Sequence, residues 1–107
     1  MSVQLKKGVL DLCVLSMLAK QDTYGYDIYQ TINNILGISE STIYPILRKM
    51  VQESLLETRL RESPDGPPRK YFTMTPLGRR RYAALKEAWR SFVERVETLI
   101  EEEEALS

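Results

Sequence analysis

The sequence predicts a mainly α-helical protein with one small β-hairpin and a long C-terminal helix. Apolar residues recur about every 3.6 positions up to Ser54 and alternate after it. Two short strands, Leu55–Arg61 and Arg69–Met74, flank the segment 62–68, whose Pro and Gly residues are expected to exclude regular structure. Helices followed by a hairpin with basic strands are typical of a winged helix-turn-helix, in which one helix enters the DNA major groove.

The first two helices are predicted from their apolar stripes. Helix one covers about Leu5–Lys20, and helix two covers Tyr24–Leu36, with Thr23 as its N-cap and Gly37 as its stop. The apolar face of helix one consists of Val9, Leu10, Cys13, Val14, Met17 and Leu18. The stripe of helix two consists of Ile28, Ile32, Ile35 and Leu36.

Helix three is predicted from a cap at Ser39 or Ser41 to about Glu53. Pro45 lacks a backbone donor and crowds the preceding turn, so a late or irregular start near Ser41 is expected. The positions expected to face the core are Ile43, Leu47 and Met50. An adjacent stripe that can face outward contains Tyr44, Arg48 and Gln52.

The last helix is predicted from Thr75 as N-cap and Pro76 as first residue to about Ala105. Apolar residues spaced three and four apart form a seam of Tyr82, Leu85, Trp89, Phe92, Val96 and Leu99. About 30 helical residues span about 45 Å. This is more than a small head, formed by helices one to three and the hairpin, can cover. We therefore expect a DNA-binding domain over 1–75 and a dimerisation helix over 76–107. The alternative is a helix that folds back on its own head.

Charge is unevenly distributed along the chain, although the net charge is zero. Residues 1–53 carry five basic and five acidic groups, residues 54–82 carry seven and three, and residues 83–107 carry three and seven. The hairpin region is therefore expected to attract phosphate, and the tail to repel it. The simpler alternative is that these are solvated faces with no partner.

Enzymatic function is not expected. The sequence has no histidine, no phosphate-binding Gly-rich motif and no cysteine cluster, so no catalytic residue, metal site or cofactor is predicted. Cys13 is the single cysteine, and its apolar surroundings favour an inert buried thiol over a redox sensor. No signal pattern and no apolar run near 18 residues occur, which predicts a cytoplasmic protein.

Three segments together resemble the PadR family of bacterial transcriptional regulators, in its short form with one C-terminal helix. They are YGYDI at 24–28, STIYPIL at 41–47 and RKYFTMTPLG at 69–78, and the resemblance extends from about Leu5 to Ile100. Two features depart from the family pattern. Ser54 stands where the family usually has Gly, so a left-handed turn there would be strained, and the segment between helices two and three is short.

The resemblance implies a homodimer that binds an inverted-repeat operator and usually represses transcription. It also implies that a small molecule releases some members from DNA, bound in a central pore by an aromatic residue of helix four. Trp89 stands at that position, and its predicted neighbours are Leu5, Gly8, Leu12, Lys86 and Val93. Because its stripe carries Lys86 and no carboxylate, we expect planar neutral or anionic aromatic ligands. Trp89 could instead belong to the dimer core.

The candidate DNA-binding residues come from helix three and the hairpin, which forms the wing. Helix three supplies Ser41, Thr42, Tyr44, Arg48 and Lys49, which can reach phosphates or base edges. The wing supplies Arg59, Arg61, Gly66, Arg69 and Lys70. For Ser41 and Thr42 the alternative role is helix capping, and for Tyr44 it is a half-buried position in the core. For the wing residues the alternative is an exposed hairpin that is merely solvated. The predicted function is a homodimeric, DNA-binding repressor, and the alternative is a winged-helix module that binds another protein.

Overall fold

The sheet is built on β3, the second strand of the hairpin, which pairs on both of its sides. The structure is a computed structural model that describes residues 3–106, with side chains from residue 8 onward. Its elements are α1 (Val3–Leu18), β1 (Thr23–Tyr24), α2 (Gly25–Leu36), α3 (Glu40–Gln52), β2 (Leu56–Ser63), β3 (Gly66–Met74) and α4 (Pro76–Leu106). The antiparallel sheet has the order β1-β3-β2. The predicted fold class, a winged helix-turn-helix with a long C-terminal helix, is confirmed.

The core lies between α1, α2, α3 and the inner face of the sheet. Its buried apolar residues are Val14, Leu15, Leu18, Ile28, Ile32, Ile43, Leu47, Met50, Leu55, Leu56, Phe72 and Met74. The inward positions predicted for helix three are confirmed. For helix two the stripe is too long, since Ile35 is 75% and Leu36 47% exposed. The last turn of α2 extends past the core before Gly37 stops it, with φ +69° and its N–H bonded to the Asn33 carbonyl at 2.8 Å.

The prediction that Thr23 caps helix two is wrong. Thr23 and Tyr24 instead form β1, which pairs with Phe72 and Tyr71 of β3. The Thr23 hydroxyl donates to the Gln21 carbonyl at 3.0 Å, and α2 begins at Gly25. Backbone pairing with the open edge of β3 outweighs the local preference of threonine for a cap.

Helix three starts near Ser41 after a cap at Ser39, as expected, but it shows no irregularity at Pro45. The helix begins at Glu40 after Ser39, and Pro45 lies inside an unbroken helix. The donor that Pro45 lacks would have bonded the carbonyl of Ser41, which is an exposed residue. The helix continues through Pro45 to Gln52 without this bond.

The wing is longer and more regular than predicted. β2 runs to Ser63 and β3 starts at Gly66, so only Pro64 and Asp65 form the tip, and the irregular segment predicted over 62–68 is wrong. The ladder includes the pair Ser63↔Gly66, with a register shift between Arg61 and Ser63. Proline fits extended backbone where no ladder donor is needed, so the Pro residues after Gly66 continue the strand.

Thr75 joins α4 to the turn before the wing. Its hydroxyl accepts from the Gly78 N–H at 3.0 Å, which confirms the predicted cap, and donates to the Ser54 carbonyl at 2.7 Å. Ser54 has φ +61°, as expected from its place in the family pattern. Gly78 is required by close approach, because a Cβ there would collide with the Leu55 carbonyl. These contacts fix the direction in which α4 leaves the head.

The far half of α4 projects from the head, and the molecule measures 60 × 27 × 23 Å. Near its start α4 packs against α1, where an added Cβ on Gly8 would lie 3.7 Å from Leu85 Cδ2. Trp89 and Phe92 are half-buried, whereas Val96 is 37% and Leu99 68% exposed. The helix therefore does not fold back on its own head.

Candidate nucleic-acid interface

Three hydroxyl groups cluster at the start of α3. Ser39 Oγ lies 3.0 Å from Ser41 Oγ and 3.2 Å from Thr42 Oγ1. Ser39 holds the N-cap position, but its side chain caps no backbone N–H. Its carbonyl accepts the first bonds of the helix, from the Thr42 and Ile43 N–H groups. The predicted candidates Ser41 and Thr42 are therefore exposed hydroxyls rather than helix caps.

A shallow open groove runs along this side of α3. Its lining consists of Tyr29, Ser39, Glu40, Ser41, Tyr44, Pro45 and Arg48. Tyr44 is half-buried, and burial, followed by the nearby Glu40 carboxylate, raises the pKa of its hydroxyl. Like any tyrosine at neutral pH, Tyr44 has a protonated hydroxyl that can donate a hydrogen bond. Arg48 is exposed at the same groove, and Lys49 lies 3.9 Å from Glu53 in an exposed ion pair.

The wing presents its arginines on its outer face. Directly paired residues share a face of a sheet, so Arg61 and Arg69 lie together, and Arg59 lies beside Tyr71. Lys70 lies on the other face, with its Nζ 5.9 Å from the Phe72 ring. The five predicted wing residues are all exposed, but they do not share one face.

Five tyrosines connect the wing to α3. The tyrosine row consists of Tyr71, Tyr24, Tyr26, Tyr29 and Tyr44. Successive ring centroids are 5.9, 6.3, 6.0 and 6.4 Å apart. The row starts on β3, passes the first turns of α2 and ends on α3. Of these residues the sequence indicated only Tyr44 as a candidate, although Tyr26 and Tyr29, three positions apart, already fall on one side of the predicted helix two.

Two of the wing arginines lie over this row. Arg61 Cζ is 4.4 Å from the Tyr71 ring centroid, and Arg69 Cζ is 5.1 Å from that of Tyr24. Arg61 also donates to Asp22 Oδ2 at 3.0 Å. Aromatic faces attract guanidinium groups, so both side chains lie across the outer face of the sheet, over rings of β3 and β1.

The residues predicted to bind a ligand lie on two helices that pack together. Gly8 and Leu12 are on α1, and Trp89 and Val93 are half-buried on α4. Lys86 lies over the Tyr82 ring, with Nζ 4.9 Å from its centroid. The side chain of the sixth predicted residue, Leu5, lies outside the described residues.

The described residues meet neither the requirements of a metal site nor those of a membrane-spanning helix. Within residues 8–106 no group of three His, Cys, Asp or Glu side chains is placed to hold a metal ion. No helix among residues 3–106 is long and apolar enough to cross a membrane. Cys13 is half-buried beside the core, and burial raises the pKa of its thiol.

The overall fold of this chain is similar to that of known proteins. Residues 14–84 match the model of the transcriptional regulator PadR-like family. A Streptococcus transcriptional regulator is 36% identical with a TM-score of 0.82, over 92% of this chain and 98% of that one. A PadR-like transcriptional regulator from Bacillus cereus is 34% identical with a TM-score of 0.80, over 91% and 96%. Bacillus subtilis PadR, solved in complex with operator DNA, is 29% identical with a TM-score of 0.64, over 71% and 45%.

Proposed function

Since this chain belongs to the PadR-like family of transcriptional regulators, we propose that it is a homodimer that binds an inverted-repeat operator in double-stranded DNA and represses transcription. The observation that carries the DNA contact is the tyrosine row, which joins the start of α3 to the wing across the first turns of α2. Exposed hydroxyl and cationic groups lie at both ends of the row.

In the proposed complex, α3 enters the major groove. Ser41, Thr42 and Tyr44 have hydroxyls that can bond phosphates or base edges, and Arg48 can bond a guanine with two N–H groups. Lys49 adds a positive charge in the last turn of α3. The structural support is that four of these five residues are exposed and that the fifth, Tyr44, lines the same open groove as Ser41 and Arg48.

The wing contacts the DNA backbone or the neighbouring minor groove. Its cationic residues Arg59, Arg61, Arg69 and Lys70 attract phosphate whatever the base sequence. Gly66, beside the tip, has nothing within 4 Å of an added Cβ, so the backbone can approach DNA closely there. Arg61 differs from the other three because it is already bound to Asp22.

Two chains assemble through α4, in the division that assigns 1–75 to DNA binding and 76–107 to dimerisation. The proposed interface consists of Leu85, Trp89, Phe92, Val96 and Leu99. Its support is the rise in exposure along this seam, up to 68% at Leu99. An apolar stripe of this length is unfavourable in water and indicates a partner surface. A two-fold dimer presents two α3 helices, which predicts two half-sites of opposite direction.

A planar aromatic effector, neutral or anionic, is proposed to bind between the two copies of Trp89. The support is that Trp89 and Val93 are half-buried in one chain, and that Lys86 supplies a cation nearby. Such a ligand would release DNA only if it favoured a different separation of the two α3 helices. Because Trp89 is the single tryptophan, its fluorescence reports on this site alone. Quenching by planar dyes would support the proposal if Trp89→Ala also weakened dye binding, measured by the anisotropy of the dye's own fluorescence because this variant has no tryptophan. No quenching by any dye would leave Trp89 as dimer core.

The proposed function is tested by an electrophoretic mobility shift with DNA from upstream of the protein's own gene. We expect a retarded complex that resists excess unrelated duplex, and weaker discrimination between the two DNAs for Arg48→Ala. Arg90→Ala serves as the control, because it removes the same charge from α4, away from the proposed DNA contacts. Failure of the wild-type protein to bind any duplex would contradict the proposal and favour a module that binds another protein.

A further inference from the structure

Arg61 lies across the whole width of the sheet. It belongs to β2, its guanidinium covers Tyr71 on β3, and its Nη2 reaches Asp22, which immediately precedes β1. The Nη2–Oδ2 distance is 3.0 Å, and the side chains of Arg61 and Asp22 are 49% and 35% exposed. The ion pair is therefore accessible to solvent and to any partner that reaches the outer face of the wing.

The ion pair contributes little to the position of the wing. Backbone pairing already joins β1 to β3 at Thr23↔Phe72 and Tyr24↔Tyr71, and a longer ladder joins β3 to β2. Exposed ion pairs add little stability, because solvent screens them and two side chains must be ordered. Anchoring the wing is thus not the main consequence of this contact.

The neighbouring cations are not held in this way. Among the side chains of residues 8–106, Arg59, Arg69 and Lys70 form no ion pair, although Arg69 lies over an aromatic ring. Arg61 alone in the wing has its charge neutralised by a carboxylate. A DNA phosphate offers the same partner chemistry as that carboxylate, so the two compete for one guanidinium.

We propose that Asp22 limits the affinity of this protein for DNA by competing with backbone phosphates for Arg61. The proposal rests on the proposed DNA-binding function and adds a residue that opposes it. Since phosphates carry no base sequence information, the restraint applies to any duplex. Removing the Asp22 charge frees one cation on each wing for the backbone.

The test measures equilibrium binding to a fluorescently labelled duplex of random sequence over about 50 to 200 mM salt. Asp22→Asn is expected to bind about three- to tenfold more tightly near 0.1 M salt, as one added phosphate contact predicts. The slope of log K against log salt becomes steeper by about 0.9 for each wing on the duplex. In the Arg61→Gln background, Asp22→Asn should leave affinity and slope unchanged.

Asp65→Asn is the matched control, because it removes one carboxylate from the exposed wing tip, where Asp65 forms no ion pair within residues 8–106. It should not steepen the slope, and all variants should melt at the wild-type temperature. Equal or weaker binding by Asp22→Asn would overturn the inference in favour of a positioning role. An undiminished gain in the Arg61→Gln background would overturn it in favour of long-range repulsion. Wild-type protein that bound no duplex would reject the proposed function itself.

Discussion

Apolar residues are buried in the head but exposed on the far half of α4. In the head, Leu47 of α3 is 1% exposed among buried neighbours from four other elements, whereas Leu99 of α4 is 68% exposed and has no cover from its own chain. Both residues are leucines in regular helices. The difference shows that the head completes its core within one chain, and that the far end of the α4 seam, at Val96 and Leu99, is an apolar surface that its own chain does not cover.

The largest effect should come from shortening these two leucines in turn. Leu47→Ala should lower the free energy of unfolding by about 2–5 kcal/mol, because it leaves a cavity in the core. Leu99→Ala makes the same chemical change, and its cost should depend on protein concentration, since the contacts it removes are proposed to be between chains. Denaturant unfolding at several protein concentrations measures both. Equal, concentration-independent costs would place the far half of α4 in the same cooperative unit as the head.

A second effect separates folding from assembly. Leu99→Glu places a charge on the proposed seam, and an unpaired charge buried between chains costs several kcal/mol. This cost should weaken the self-association constant, measured by sedimentation, at least about tenfold. The circular dichroism of the helices in the head should stay unchanged. Thr98→Glu adds the same charge one residue away, at an exposed position off the seam, and should associate like wild type. A wild-type monomer at micromolar concentration would exclude the proposed interface.

The wing offers the next test, because its two neighbouring cations face opposite ways. Replacing Arg69 and Lys70 by Ala should weaken binding to all duplexes nearly equally and flatten the salt slope by about 0.9 for each lost phosphate contact. Arg69 lies on the face of the tyrosine row, so Arg69→Ala should account for more of the loss than Lys70→Ala. The control is Arg95→Ala on α4. Unchanged binding by the double variant across the salt series would contradict the wing contact.

Local patterns predicted the helices and the cap at Thr75, because each depends on residues within a few turns of one another. They could not predict β1, whose partner strand lies more than forty residues away. Thr23 alone fits a cap as well as a strand, and only the open edge of β3 decides between them. The tyrosine row and the Arg61–Asp22 pair were missed for the same reason, since the paired residues are 39 positions apart in sequence.

Ser54 should give the smallest effect, in the stabilising direction. Its φ of +61° is in the left-handed region, where a side chain costs about 1–2 kcal/mol relative to Gly. Glycine also has more freedom to lose on folding, which offsets part of this gain. Ser54→Gly should therefore raise the free energy of unfolding by up to about 1 kcal/mol, measured by denaturant unfolding. Ser54→Ala removes the same hydroxyl but keeps a Cβ, so it should give no gain. Equal effects of the two variants would mean that the hydroxyl, and not the backbone strain, determines the stability of the turn on which the wing and α4 both depend.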